Sequence, residues 1–236
     1  MFKRSIMALA ILAFAAPVLA EDEEGPWSGK ATLGYLATSG NTENSNLNTG
    51  LDVSYVRDKW THALELRAIY AAEDDSTTAE SYGAVWNSER SITENDFVFG
   101  RLDWRKNRFS SFDRQFSQTV GYGRRLITTD KHTLNLTAGV GARQSDLIDG
   151  TSQSETIFRG GMDYDWLLSE TSTFSQDLAI EAGSENTYIE SITAVSAQLV
   201  GNLALVASYT IRHNTDVLPG TENTDTYTAL SLEYLF

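Results

Sequence analysis

The chain contains no cysteine. That excludes a disulfide framework, a thiolate metal site, a cysteine nucleophile and the acylated cysteine of a lipoprotein anchor. Histidine is also scarce: His62, His132 and His213 stand far apart, and no two share a strand at ligand spacing, so no zinc site is expected. Three prolines against ten Phe, ten Tyr and five Trp argue against disorder. Positive charge is in deficit, with 18 Lys and Arg against 32 Asp and Glu and a formal net charge of −14. A nucleic-acid binder needs a basic face, so that class is excluded. Beyond residue 20 no apolar run approaches the eighteen residues of a membrane-spanning helix.

The N-terminus reads as an address. Lys3 and Arg4 precede an apolar stretch from Ile6 to Leu19, and Val18-Leu19-Ala20 supplies a small-residue cleavage motif before Glu21. Residues 1–20 are therefore expected to be a cleaved secretory signal peptide, too short for a membrane anchor. Cleavage removes two basic residues and no acid, which leaves a mature charge of −16. Residues 21–26 follow as an acidic mature N-terminus, and 27–236 as a single domain.

That domain alternates. Leu47, Thr49, Leu51, Val53 and Tyr55 are interleaved with Asn46, Asn48, Gly50, Asp52 and Ser54. Trp60, His62, Leu64, Leu66, Ala68 and Tyr70 are interleaved with Thr61, Ala63, Glu65, Arg67 and Ile69. Period two marks strands with two unlike faces. Twelve such segments are expected: 27–38, 45–57, 60–71, 80–91, 96–106, 113–126, 132–144, 154–166, 172–183, 188–199, 203–214 and 226–236, though ten or fourteen would also fit. Strands of soluble sheets average about five or six residues, whereas a tilted strand crossing a bilayer needs about nine to eleven. Short turns are expected near Asp58, Thr93, Thr129, Glu170 and Gly201, and longer loops at 72–79, 106–112, 145–153 and 215–225. Short turns at one end and long loops at the other are the outer-membrane barrel arrangement, and an even strand count puts both termini on the periplasmic side.

Alternation alone does not say which face is outside, because a soluble barrel fills its interior with the apolar face. Twelve strands, however, enclose more volume than these side chains fill. Aromatics gather near strand ends, as interface girdles require. Trp27, Tyr55, Trp60, Trp166, Phe174 and Tyr234 fall at the periplasmic rim, and Tyr35, Tyr70, Tyr82, Trp104, Phe158 and Tyr209 at the outer rim. Leu230, Leu232, Tyr234 and the terminal Phe236 share one face, which resembles the C-terminal strand signal read by the barrel-assembly machinery. The fold expected is all-β: a single up-and-down antiparallel transmembrane barrel.

Several stretches carry a family resemblance. Leu33-Gly34-Tyr35, Thr38-Ser39-Gly40-Asn41-Thr42, Leu47-Asn48 and Gly50-Leu51 resemble the opening of the YdiY-like salt-induced outer membrane protein family, a domain family of unknown function. Gly100-Arg101-Leu102, Gly121-Tyr122-Gly123-Arg124-Arg125-Leu126 and Tyr234-Leu235-Phe236 fit as well. The resemblance covers essentially the whole mature chain. It implies a Gram-negative outer-membrane barrel with a salt or acid stress role, and it assigns no catalytic or ligand residue.

The residues offer little chemistry of their own. His62 falls on the lipid face with no serine on its own strand, and only a serine from a neighbouring strand could reach it. Glu73, Asp74 and Asp75 read as a solvated acidic outer loop, or as a cation bridge to lipopolysaccharide phosphates, and lack the spacing of a calcium loop. Gly121-Tyr122-Gly123 and Gly139-Val140-Gly141 lack the third glycine and the helix of a nucleotide loop. No enzymatic activity and no cofactor are expected.

The polar face is the informative one. It carries Arg67, Arg101, Arg105, Arg143, Arg159 and Arg212 with Asp52, Glu65, Asp103, Asp163, Asp165, Asp177, Glu181 and Glu233, and adds Asn46, Asn48, Asn135 and Thr137. Charges of both signs in a narrow lumen either pair into a filled interior or line a weakly selective aqueous pore. The first expectation is a narrow passive channel for ions or small hydrophilic solutes, with Arg143 and Arg159 on its lining. The second is a non-conducting structural barrel whose acidic outer loops bind cations, lipopolysaccharide or a partner.

Overall fold

A computed structural model of the chain describes residues 25–38, 44–74 and 76–236. The leader, residues 21–24, Ser39 to Thr42 of the resemblance and Asp75 lie outside the described residues. Twelve strands follow in order: β1 (Trp27–Thr38), β2 (Asn44–Arg57), β3 (Trp60–Glu73), β4 (Ser76–Ser91), β5 (Asp96–Asn107), β6 (Phe112–Thr128), β7 (His132–Leu147), β8 (Ser152–Ser169), β9 (Ser172–Ala182), β10 (Thr187–Val200), β11 (Leu203–Asn214) and β12 (Thr224–Leu235). Each pairs antiparallel with its chain neighbours, and β1 pairs with β12 to close the barrel. Beyond that register, Gly29 and Phe236 exchange two backbone hydrogen bonds, of 2.7 and 2.9 Å. The Phe236 ring lies over Gly29, where a β-carbon would strike it.

The barrel is inside-out relative to a water-soluble one. Its largest fully buried side chains include Arg143, Glu181, Ser111 and Ser117, with Ile157 the one aliphatic among them. Leu33, Leu64, Leu66, Val120, Val140, Leu230 and Leu232 are exposed. Such a continuous apolar belt far exceeds the few hundred Å² that water-soluble monomers expose. The belt faces lipid, and the barrel spans a membrane. Trp27, Tyr35, Trp60, Tyr70, Trp166, Tyr234 and Phe236 are exposed toward the ends of their strands on this face, with Tyr55 half-buried beside Trp27 at a centroid distance of 4.6 Å. Tyr209, expected at the outer rim, is instead exposed at the middle of β11, because that strand runs on past it to Asn214.

The two ends are less unlike than the sequence suggests. At the end holding both termini the turns are short, and Asp58 and Gly201 open theirs with positive φ, 55° and 53°. At the other end the strands run on. The expected loop 72–79 shrinks to a tight turn at Asp74, because Ala72 pairs with Thr77 and Glu73 with Ser76. Likewise 106–112 reduces to 108–111 and 145–153 to 148–151, and only 215–223 stays long. Past the bilayer both faces of a hairpin meet water, so alternation lapses, while the backbone ladder needs no alternation to continue.

The glycines of the inner wall are filled from across the ladder. Phe97 and Phe99 point inward from β5 and lie against Gly121, Gly123 and Gly139, and a β-carbon on Gly123 would collide with the Phe97 ring. Overpacking such a contact costs about 1–3 kcal/mol. Gly123→Leu is therefore expected to lower the urea midpoint of unfolding from lipid vesicles while leaving insertion intact. An unchanged midpoint would show that this wall has slack.

Candidate functional site: the barrel interior

Strand register fixes what faces the lumen. Lys30, Asp52 and Glu65 are direct neighbours across β1, β2 and β3, and Gly50, Arg67 and Gly83 form the adjacent inward row across β2, β3 and β4. On the other wall Asn135, Asp163 and Asp177 are neighbours across β7, β8 and β9, as are Arg159 and Glu181. All thirteen charged residues expected on the pore face (Asp52, Glu65, Arg67, Arg101, Asp103, Arg105, Arg143, Arg159, Asp163, Asp165, Asp177, Arg212 and Glu233) carry inward parity in this register. They do not share one environment.

The half nearer the termini holds water-accessible charge. Asp163, Asp165 and Asp177 are exposed. Lys30, its side chain 44% exposed, bridges Asp52 at 3.7 Å and Glu233 at 3.6 Å. Arg67, 40% exposed, grips both Asp52 oxygens at 2.5 and 2.9 Å, and Gly50 leaves space for its guanidinium. Here the lumen is an open vestibule with an excess of carboxylates. Further in, Asp103 is shared by Arg101 at 3.3 Å and Arg105 at 3.1 Å.

The half nearer the long loop is packed. Arg105 reaches across the lumen from β5 to Glu181 on β9, 2.6 Å away, with its guanidinium 4.0 Å from the centroid of the Tyr188 ring. Arg143 binds Glu155 at 2.7 Å and Glu181 at 3.5 Å and donates to the Asn186 carbonyl. The Arg143, Glu155 and Glu181 side chains are 0%, 3% and 2% exposed, so their desolvated charges depend on protein partners alone: on one another, on Arg105 and on the neighbouring backbone. The connecting turns are stitched over this knot. The Glu185 N–H donates to Glu155 (2.8 Å), the Asn186 amide to Asn214 (2.8 Å), and the Leu218 N–H to Ser111 (2.8 Å). A second arm crosses beside it, where Arg212 on β11 binds Glu190 at 2.6 Å and Ser81 of β4 at 3.3 Å. Between the arms lies a cavity of about 30 Å³ lined by Ser81, Arg105, Tyr188, Arg212 and Asp225, large enough for about one water.

Arg143 is thus a structural cation under the loops and faces no open water, unlike the pore-lining role expected for it. Glu155, Tyr188, Asn186 and Glu190 belong to the packed half and are absent from the sequence-based set. Glu155 shares parity with Arg159, and Glu190 with Tyr188, so the register signal was present. In β10 it was obscured, because Ser191 and Thr193 face lipid while Ile192 and Ala194 face inward.

The histidines are satisfied by hydroxyls. His62 Nδ1 lies 2.9 Å from Ser88 Oγ on the neighbouring strand, His132 Nδ1 2.9 Å from Tyr164 and His213 Nδ1 2.8 Å from Thr224. His62 also stacks between Trp60 and Trp86, at 5.8 and 6.2 Å. The backbone around Ser88 is committed to the β3–β4 ladder, which leaves no free N–H pair to receive an oxyanion. Among the described residues no group of three His, Asp or Glu is arranged to hold a metal ion. In the β7–β8 turn, the Thr151 hydroxyl and N–H hold the Asp149 carboxyl below the usual carboxylate range.

Residues 31–236 match the family model described as protein of unknown function, DUF481. A relative from Escherichia coli (strain K12), the uncharacterized protein YdiY, is 27% identical over 210 residues, 89% of this chain and 83% of its own length. Among solved structures, the NanC porin is 12% identical and superposes with a TM-score of 0.56 over 88% of this chain and 99% of its own. An outer membrane channel from Pseudomonas putida F1 is 9% identical, with a TM-score of 0.54 over 92% of this chain and 97% of its own. The translocator domain of the autotransporter NalP from Neisseria meningitidis is 11% identical, with a TM-score of 0.51 over 92% and 91%. At these identities the likeness is one of fold.

Proposed function

Since the chain belongs to the protein family of unknown function DUF481, whose description names no activity, we propose from the interior itself that it is an outer-membrane barrel acting as a narrow passive channel for ions or small hydrophilic solutes. The observation that carries this reading is the water-accessible charge inside the barrel: Lys30 and Arg67 at 44% and 40%, with Asp163, Asp165 and Asp177 exposed. Lumen charges that only stiffened the wall would be paired and desolvated throughout, as they are around Arg143. The termini and short turns face the periplasm in this reading, and Phe236 ends the strand presented to the assembly machinery. The resemblance supplies the salt or acid stress role. The reading involves no catalytic step.

The packed half supports a second reading, a non-conducting barrel. The two crossing arginines leave room for about one water, so the permeation path is narrow or closed until the loops move. Planar-bilayer recording of residues 21–236, with folding verified by a heat-dependent gel shift, separates the two. The channel reading expects small, reproducible current steps. A folded, inserted and silent protein overturns it and leaves the structural barrel.

A further inference from the structure

We propose that the barrel pairs with a second copy of itself through the lipid face of β5–β7, with Gln118 at the two-fold axis. Gln118 has the same outward parity as Phe116, Val120 and Tyr122 on β6. It lies four residues inside Arg114 and six inside Arg124, the charged residues that bracket the apolar stretch of that strand, so it sits near the middle of the hydrocarbon. Its side chain is exposed and has no hydrogen-bond partner among the described residues.

Gln144, also outward and exposed, lies three residues from the outer end of β7. The mid-strand glutamine on the lipid face of β9 is treated differently. Gln176 on β9 accepts from the Thr193 hydroxyl (2.6 Å) and donates to Ser191 (3.0 Å) and to the Asp177 carbonyl (3.0 Å). An amide left unpaired in hydrocarbon costs several kcal/mol, which is why polar groups on lipid faces find partners within the protein or across an interface. A carboxamide carries both donors and an acceptor. In an isologous pair the residue on the axis meets itself, and two carboxamides then satisfy each other reciprocally.

The surface beside Gln118 has room for that approach. A hollow of about 270 Å³ opens between Trp86, Gly100, Leu102, Gln118, Val120 and Val140. A β-carbon on Gly100 would touch nothing within 4 Å, so the wall is recessed there. An axis along the membrane normal through Gln118 sets β5 of each copy against β7 of the other, with the two hollows opening onto the seam. An acyl chain would fill the hollow equally well and leave the amide unmet, which makes a protein the occupant that answers both features. This inference is independent of whether the lumen conducts.

The absence of cysteine makes the test clean. Gln118→Cys in native outer membranes, treated with a mild oxidant, is expected to give a band at twice the monomer mass on a non-reducing gel. Leu51→Cys, on the lipid face of β2, is expected to give none. Gln118→Leu is expected to weaken the dimer about tenfold in nanodiscs, in line with membrane hydrogen bonds of modest worth. The heat-dependent gel shift confirms folding of each variant. A monomeric protein that does not cross-link at 118 overturns the proposal. So does a dimer that forms as tightly with leucine at 118.

Discussion

Arg143→Leu is expected to destabilise the barrel by about 3–5 kcal/mol, the usual cost of breaking a buried ion pair by removing one partner. The reason lies in what stays behind. Glu155 and Glu181 remain buried, at 3% and 2% exposed, and Glu155 loses its cationic partner while Glu181 keeps Arg105 at 2.6 Å. The Asn186 carbonyl loses a donor as well, so the 183–186 turn loosens first. The measurement is urea-dependent unfolding from lipid vesicles. A second variant separates charge from packing: Arg143→Leu with Glu155→Leu removes the orphaned carboxylate and is expected to recover part of the loss, since a buried pair replaced by apolar groups of similar volume is often neutral. A double variant as unstable as the sum of its single changes would mean that the two residues act separately and that no knot exists. A stability unchanged by Arg143→Leu would mean that water reaches the site and that the packed half is open.

The twelve strands were legible because two solvents wrote them. Lipid on one side and a polar lumen on the other impose opposite chemistry at each successive residue, so Leu47 to Tyr55 or Trp60 to Tyr70 carries its face in its parity. Where one solvent wets both faces that code disappears, which is why the hairpin around Asp74 read as a loop although its ladder continues to the turn. It also weakens where the protein satisfies polar groups on the lipid face, as Ser191 and Thr193 do for Gln176.

Parity also placed the lumen charges on the correct face, but it carries no information about depth or pairing. Arg105 and Glu181 stand 76 positions apart and meet only because the wall at β5 comes within an arginine's reach of β9. Arg212 and Ser81, 131 positions apart, meet for the same reason. Pairing across a lumen depends on the cross-section of the closed barrel, which no local pattern records. Hence Arg143 and Arg159 look equivalent in sequence, while one is sealed under loops and the other lies beside the open half.

The open half makes its own prediction. Asp163 faces Asp177 across the β8–β9 ladder with Asp165 two residues on, and all three are exposed inside the vestibule. A narrow entrance lined by an excess of carboxylates concentrates cations and repels anions. A charge 4 Å from a passing ion in water-like dielectric is worth about 1 kcal/mol, a factor of about five in local ion concentration. Screening confines that influence to roughly 10 Å at 0.1 M salt. In a salt gradient the wild-type barrel is therefore expected to show a cation-preferring reversal potential, stronger at low ionic strength. Replacing Asp163, Asp165 and Asp177 together by asparagine is expected to cut the cation-to-anion permeability ratio several-fold, with little change in stability because these groups are hydrated. Arg143→Leu shares none of this effect, since its charge faces no water. A ratio indifferent to the three asparagines would place the current path elsewhere, and the vestibule would then be a blind cup.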